Sequence, residues 1–271
     1  MELLFWICLF VVFYTYIGYG ILLYLLVLLK RRLSGRSRRY LAEEADALWP
    51  TCTVVVAAYN EEAFIDEKIR NTLALHYPKD RVRYLFVTDG SSDGTAERVT
   101  RYPELLHLHS PERKGKIAAI HRAMAHVDSD LVVFTDANTL LNPDALRALC
   151  RHYADPRVGA VAGEKRVYAG EVADASAAGE GLYWKYESAL KRWDSELYSV
   201  VGSAGELFSI RYGLYEPVPD DTVLDDFMIS MRIAERGYRV VYEPDAFATE
   251  MASENVQEEL KRKIRIAAGS G

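Results

Sequence analysis

The chain has 271 residues, 50% of them hydrophobic and 27% charged, with a net charge of −6. That length holds one large α/β domain or two small ones, and that balance excludes a disordered polypeptide. The charge is uneven: residues 30–39 carry Lys30, Arg31, Arg32, Arg36, Arg38 and Arg39 and no acid, whereas residues 40–271 are strongly acidic and lack the basic footprint of a nucleic-acid binder.

Taken in chain order, the first element is an apolar run from Leu3 to Leu29 without a single charge. As a helix it reaches roughly 40 Å, enough to cross a hydrocarbon core about 30 Å thick. A cleaved signal peptide would begin with a basic segment, run shorter and end in a small-residue cleavage site. Here only Glu2 precedes the run, and basic residues follow it. The excess of Lys and Arg after the run places the N-terminus outside and the remainder in the cytoplasm. Residues 1–30 therefore read as a signal anchor in the cell (inner or plasma) membrane. Residues 31–50 form a connector whose basic part lies against anionic headgroups of membrane lipids or serves only to set topology.

Over residues 51–255 strands alternate with helices, which predicts an α/β domain built on a mostly parallel sheet. Cys52–Ala58 reads as a strand. Glu61–Leu75 reads as a helix with Phe64, Ile65, Ile69 and Leu73 on one face. Val82–Thr88 is a strand, Asp93 an N-cap, and Ala96–Arg101 a helix. Leu105–His109 is a short strand, Gly115–Val127 a helix, and Asp130–Thr135 a strand. Asn142-Pro143 opens a helix to Tyr153, with Pro at the first helical position. Val158–Val161 is a strand, and 168–181, rich in Ala, Gly and Glu, is expected as a loop over the site or as a disordered one. Leu182–Leu197 reads as a helix, Gly202–Gly205 as a flexible turn, and Leu207–Arg211 as a strand. Phe227–Arg236 is a helix stopped by Gly237, and Tyr238–Tyr242 is a strand. Residues 256–271 form a basic helix. Cys8, Cys52 and Cys150 stand far apart with no CxxC spacing and read as buried small hydrophobes rather than a zinc site or a disulfide framework.

Three apolar, strand-like runs end in aspartate: Tyr84–Asp89, Leu131–Asp136 and Thr222–Asp225 with Asp226. Ligands of open α/β sheets bind beyond the carboxyl ends of strands. One acid there is an ordinary helix cap, but three together need a cation, sugar hydroxyls or a proton to be stable. Asp136 and Asn138, at i and i+2 on a strand end, point to one side and can face a hard cation.

Val54-Val-Val-Ala57-Ala-Tyr59-Asn60-Glu61, Asp89-Gly-Ser-Ser-Asp-Gly-Thr95, Lys114-Gly-Lys116, Asp136-Ala-Asn138 and Asp225-Asp226 follow one another in that order. Together, over about residues 50–268, they resemble a family 2 glycosyltransferase of the GT-A (Rossmann-like) fold. The resemblance lies in the membrane-bound branch with cellulose, hyaluronan and poly-N-acetylglucosamine synthases. It implies transfer of a sugar from a nucleotide-sugar donor, with a UDP-sugar expected, to a saccharide or lipid-linked acceptor. It places the base and ribose on Ala57, Tyr59, Glu61 and Asp89, and the diphosphate on Lys116 and Asp136. Asp136 and Asn138 stand at the family's DxD motif and imply a divalent cation, Mg²⁺ or Mn²⁺. Asp226 corresponds to the general base with Asp225 in support, and Gly202, Ser203 and Gly205 to the acceptor loop.

The chain departs from the pattern at Asn138, where a second Asp is commoner. It departs again near Arg265, which alone survives of a QxxRW-like motif, Ile266 replacing the Trp. The resemblance implies that Arg265 clamps the diphosphate, while the missing Trp weakens the case for polymer extension. Two other readings compete: a sugar nucleotidyltransferase, which would show a Gly-rich loop after the first strand, and a non-catalytic sugar-nucleotide-binding scaffold, which the Asp225-Asp226 pair argues against.

Overall fold

A computed structural model describes residues 2–33, 49–167, 175–203 and 205–250. Most of the connector over 31–50, the predicted helix over 256–271 and Arg265 lie outside the described residues.

Eight strands form one sheet in the order β3-β2-β1-β4-β7-β6-β8-β5. They are β1 (Cys52–Ala58), β2 (Val82–Asp89), β3 (Leu106–Ser110), β4 (Leu131–Asp136), β5 (Thr139–Leu141), β6 (Val158–Val167), β7 (Leu207–Arg211) and β8 (Arg239–Glu250). The half made of β3, β2, β1 and β4 is parallel. The other half is mixed, because β7 runs antiparallel between β4 and β6 and β5 runs antiparallel on β8.

The period of two in β1 splits the core. Val54 and Val56 face one side with Ile65, Ile69, Leu146 and Leu149. Val55 faces the other with Leu85, Ile117, Ile120, Phe134 and Ile229. Each such side chain contributes about 1.5–3 kcal/mol on burial, which is why these Val-rich runs fold as central strands. Helices α3 (Ile65–Leu73), α4 (Thr95–Thr100) and α6 (Ala145–Cys150) follow β1, β2 and β5; α5 (Lys116–Met124) packs on β1 and β2, and α8 (Asp225–Glu235) on β6 and β8. Gly237, at φ 85°, ends α8 as expected.

Several expectations need correction. Residues 222–224 form no strand; the third acidic position enters at the first turn of α8. The predicted loop over 168–181 is helical from Ala175, as part of α7 (Ala175–Leu197), and 168–174 lie outside the described residues. Its alanines are the strongest helix formers and outweigh the two glycines. β6 and β8 run well past their predicted ends. They pair with each other beyond Gly163 and Pro244, with register shifts between Val158 and Ala160 and between Ala162 and Glu164 that absorb both breakers. Cys8 is exposed, whereas Cys52 and Cys150 are buried as expected.

The N-terminal helix consists of α1 (Glu2–Phe13), a π turn (Tyr14–Gly18) and α2 (Tyr19–Leu33). By length and composition Glu2–Leu33 is able to cross a membrane. Its first half buries nothing, while Gly20, Leu23 and Val27 pack inward. The partner is α7: Tyr186 donates to the Tyr16 carbonyl at 2.8 Å and Tyr19 to Asp194 at 2.7 Å. Arg31 grips Glu196 with two hydrogen bonds of 2.8 Å, and Lys30 donates to the last carbonyls of α7.

Candidate active site

A cleft of about 530 Å³ opens at the carboxyl ends of β1, β2 and β4. It gathers Ala57, Tyr59, Glu61, Asp89, Lys116, Asp136, Asn138, Gly205, Asp225 and Asp226. Ten of the positions expected from the sequence thus meet in one place. Gly202 and Ser203 do not line it. Gly202, at φ 75°, lies against the Phe227 ring. The Ser203 hydroxyl donates to the Asp226 carbonyl at 3.1 Å and its N–H to Ser230 Oγ at 3.1 Å. These two residues brace the first turn of α8.

Lys116, the first residue of α5, reaches across the cleft. Its Nζ donates to Asp136 Oδ1 at 2.9 Å and lies 3.8 Å from Asp225 Oδ1. Crowding by the cleft walls disfavours its charge, but Asp136, Asp225 and Asp226 together outweigh this and raise the ammonium above its ordinary value. Asp225 is buried, and its Oδ2 has no hydrogen-bond partner among the described residues. The N-terminus of α8 favours two acids in its first turn. Burial and then the charge of Asp225 push the Asp226 carboxyl up to about 7, against the Phe227 N–H and Lys116. A Cβ built on Gly205 would lie 3.3 Å from Asp226 Oδ2 and 3.8 Å from Lys116 Nζ. The bare backbone at 205 therefore keeps open the space between the carboxylate and the ammonium.

At the other wall, burial and then Asp136 and Asp93 raise Glu61 to about 7. The Tyr59 ring, expected as a stacking surface, carries the Arg113 guanidinium 3.9 Å from its centroid. Asp89 is buried and fully engaged: Oδ2 accepts the N–H groups of Lys114 and Gly115 at 2.8 and 2.7 Å, and Oδ1 accepts from Arg122 at 3.0 Å. The N–H groups of Lys114 and Gly115, at the start of α5, thus point at Asp89. Asp93, expected as an N-cap, stands one residue before the N-cap of α4, Gly94, and from there accepts from the Thr95 N–H at 3.0 Å.

Sequence reasoning missed Arg113, Arg122, Glu206, Lys165 and Lys68. Lys165 pairs with Glu206 at 2.6 Å and with Glu250, both of which line the cleft. Lys68 is fully buried beneath the Asp136–Asn138 turn, and desolvation lowers it to about 7 against the pull of Asp136. The missed signal was periodicity: Ile65, Lys68, Ile69 and Thr72 fall at i, i+3, i+4 and i+7, so a lysine occupies the apolar stripe of α3.

The donor set fits a hard cation in part. Asp136 and Asn138 both line the cleft and carry side-chain oxygens, one of which, Asp136 Oδ1, accepts from Lys116, and the buried Asp225 Oδ2 has no hydrogen-bond partner among the described residues. No group of three His, Cys, Asp or Glu able to hold a metal occurs among the described residues, so a cation here would draw its remaining ligands from a bound diphosphate and water.

A model of glycosyl transferase family 2 matches residues 53–216. Poly-beta-1,6-N-acetyl-D-glucosamine synthase of Staphylococcus aureus is 28% identical over 231 residues, covering 80% of this chain and 54% of that protein. A probable glycosyltransferase of Bacillus subtilis, YdaM, is 26% identical over 234 residues, covering 82% and 55%. This chain thus spans about half the length of the curated relatives it matches. Among solved structures, a mannosyltransferase from Pyrobaculum calidifontis in complex with GDP-Man and Mn²⁺ superposes with a TM-score of 0.69 at 28% identity. That match covers 92% of this chain and 72% of the other. The shared fold is of the GT-A type.

Proposed function

The chain belongs to glycosyl transferase family 2, and from that premise we propose that it is a membrane-anchored, inverting glycosyltransferase. It transfers a sugar from a nucleotide-sugar donor to a hydroxyl of a saccharide or lipid-linked acceptor in cell-envelope glycan synthesis. The observation that carries the reading is the Lys116–Asp136–Asp225–Asp226 constellation around the bare backbone of Gly205. Asp226, raised to about 7, is tuned to take the proton of the attacking hydroxyl near neutral pH. Asp225 raises it and anchors Lys116, whose ammonium faces the charge that develops on the departing diphosphate. Held by Asp136 and Asn138, a divalent cation would supply further neutralisation of that charge. Glu61, Tyr59 and Ala57 form the wall for the base and ribose, and Arg113 must leave the Tyr59 ring for a base to stack on that face.

A UDP-sugar is the first candidate for the donor. The mannosyltransferase solved with GDP-Man and Mn²⁺ favours a GDP-sugar as the second. Purified protein incubated with a panel of UDP- and GDP-sugars, acceptor glycans and Mn²⁺ should release nucleoside diphosphate with one donor. Release by none, with UDP and GDP still bound, would leave the non-catalytic scaffold as the function.

A further inference from the structure

We propose that Lys68 is a positioning residue that sets the shape of the Asp136–Asn138 turn for a divalent cation and a diphosphate; the proposal rests on the reading of the cleft given above. Lys68 is 0% exposed, on the inward stripe of α3. Among the described residues its Nζ makes no ion pair with a carboxylate. It donates to Thr135 Oγ1 at 2.9 Å and the Thr139 carbonyl at 2.8 Å, with Thr139 Oγ1 at 3.5 Å. Burying an amine among neutral partners is costly, and a methionine of similar length would fill the same space without that cost.

What the amine supplies is geometric. Thr135 immediately precedes Asp136, and Thr139 immediately follows Asn138, so one nitrogen ties both ends of a three-residue segment. The Thr139 carbonyl can only accept, which commits one N–H to it. The two hydroxyls then pass the constraint on. Thr139 Oγ1 donates to the Asp136 carbonyl at 3.1 Å, and Thr135 Oγ1 to the Glu206 carbonyl at 3.0 Å. The turn is thereby fixed to itself and to Glu206, which precedes β7, the strand next to β4. Without the amine, the segment holding both oxygen ligands loses its inner support while the nucleotide wall at Tyr59 and Glu61 is untouched.

The test uses the full chain in detergent, with Mn²⁺ as the probe and its uptake read by electron paramagnetic resonance in the presence of UDP or GDP. Lys68→Met should weaken Mn²⁺ binding by about 10–100-fold, the usual effect of removing a ligand's supporting partner. Nucleotide binding without metal should be unchanged. Thr139→Val removes only the hydroxyl contacts and should weaken Mn²⁺ several-fold; it carries the test where Lys68→Met does not fold. Uptake lost in Asp136→Ala but kept at wild-type affinity in Lys68→Met, or in Thr139→Val where that variant stands in, overturns this proposal alone and leaves Lys68 a packing residue. Wild-type protein that takes up no Mn²⁺ with either nucleotide overturns the reading of the cleft and this proposal together.

Discussion

Replacing Asp226 with asparagine should lower activity and raise stability, and the two effects have different origins. The amide keeps the size and hydrogen bonding of the side chain but accepts no proton. General-base assistance contributes about 10²–10⁴-fold, or roughly 3–5 kcal/mol of barrier, so kcat should fall by about that factor. Nucleotide affinity should hold, because the wall at Ala57, Tyr59 and Glu61 is intact. The stability effect follows from the carboxyl's displacement from 3.8 to about 7, caused by burial and then by Asp225. A group raised in the folded state holds its proton more tightly than in the unfolded chain. Its contribution to stability is therefore complete below the unfolded value and is lost as pH rises through about 7. Between pH 5 and pH 8 the wild-type protein loses on the order of 2–3 kcal/mol by this route, and Asp226→Asn loses none of it. At about 2–4 °C per kcal/mol, the Tm of Asp226→Asn relative to wild type should climb by roughly 5–10 °C across that range. Thermal unfolding by intrinsic fluorescence at pH 5, 6.5 and 8, beside kcat on the same preparations, measures both. A Tm difference that stays flat with pH refutes the burial argument. Normal turnover in Asp226→Asn with a dead Asp225→Asn moves the base one residue back.

Chelation with EDTA should abolish turnover and added Mg²⁺ or Mn²⁺ restore it; undiminished turnover in chelator removes the cation from the mechanism. Asn138→Asp should retain activity and tighten metal binding, since it adds a charged oxygen, and a weaker metal titration would count against Asn138 as a ligand. Asp89→Asn should lower stability by about 2–4 kcal/mol, because an amide cannot satisfy two backbone N–H groups and Arg122 at once, and UDP binding should weaken with it. Weaker UDP binding with wild-type stability would instead mean that Asp89 acts on the ligand alone. A reporter fused after residue 50 should be active on the cytoplasmic side, and activity only on the outer side contradicts the proposed orientation.

The central strands were legible because Val54–Val56, Leu85–Val87 and Val132–Phe134 are buried on both faces and read as unbroken apolar runs. The antiparallel placement of β7 was not, since pairing direction leaves no mark on a five-residue strand. β5 is three residues long and lies below any periodic signal. The extension of β8 through Pro244 was hidden because proline reads as a breaker, and only its register with β6 shows the residues being absorbed. In the site, the acidic positions announced themselves at strand and helix ends, where carboxylates are few and exposed to ligand. The basic ones did not. Arg122 sits within an amphipathic helix and reads as a solvated charge until Asp89 is seen 3.0 Å away. Asp89 itself read as a ligand contact, although its oxygens are engaged by the chain's own turn; local sequence cannot reveal a partner that arrives from 25 residues further on.

The stereochemistry of transfer tests the central claim most directly. The proposed single carboxylate base at Asp226 requires attack from the face of the anomeric carbon opposite the leaving diphosphate. Proton NMR of the first product formed from an α-linked nucleotide-sugar should therefore show a β-linked sugar, with the large anomeric coupling of a gluco-configured residue. An α-linked first product would contradict the assignment of Asp226 and the inverting mechanism with it.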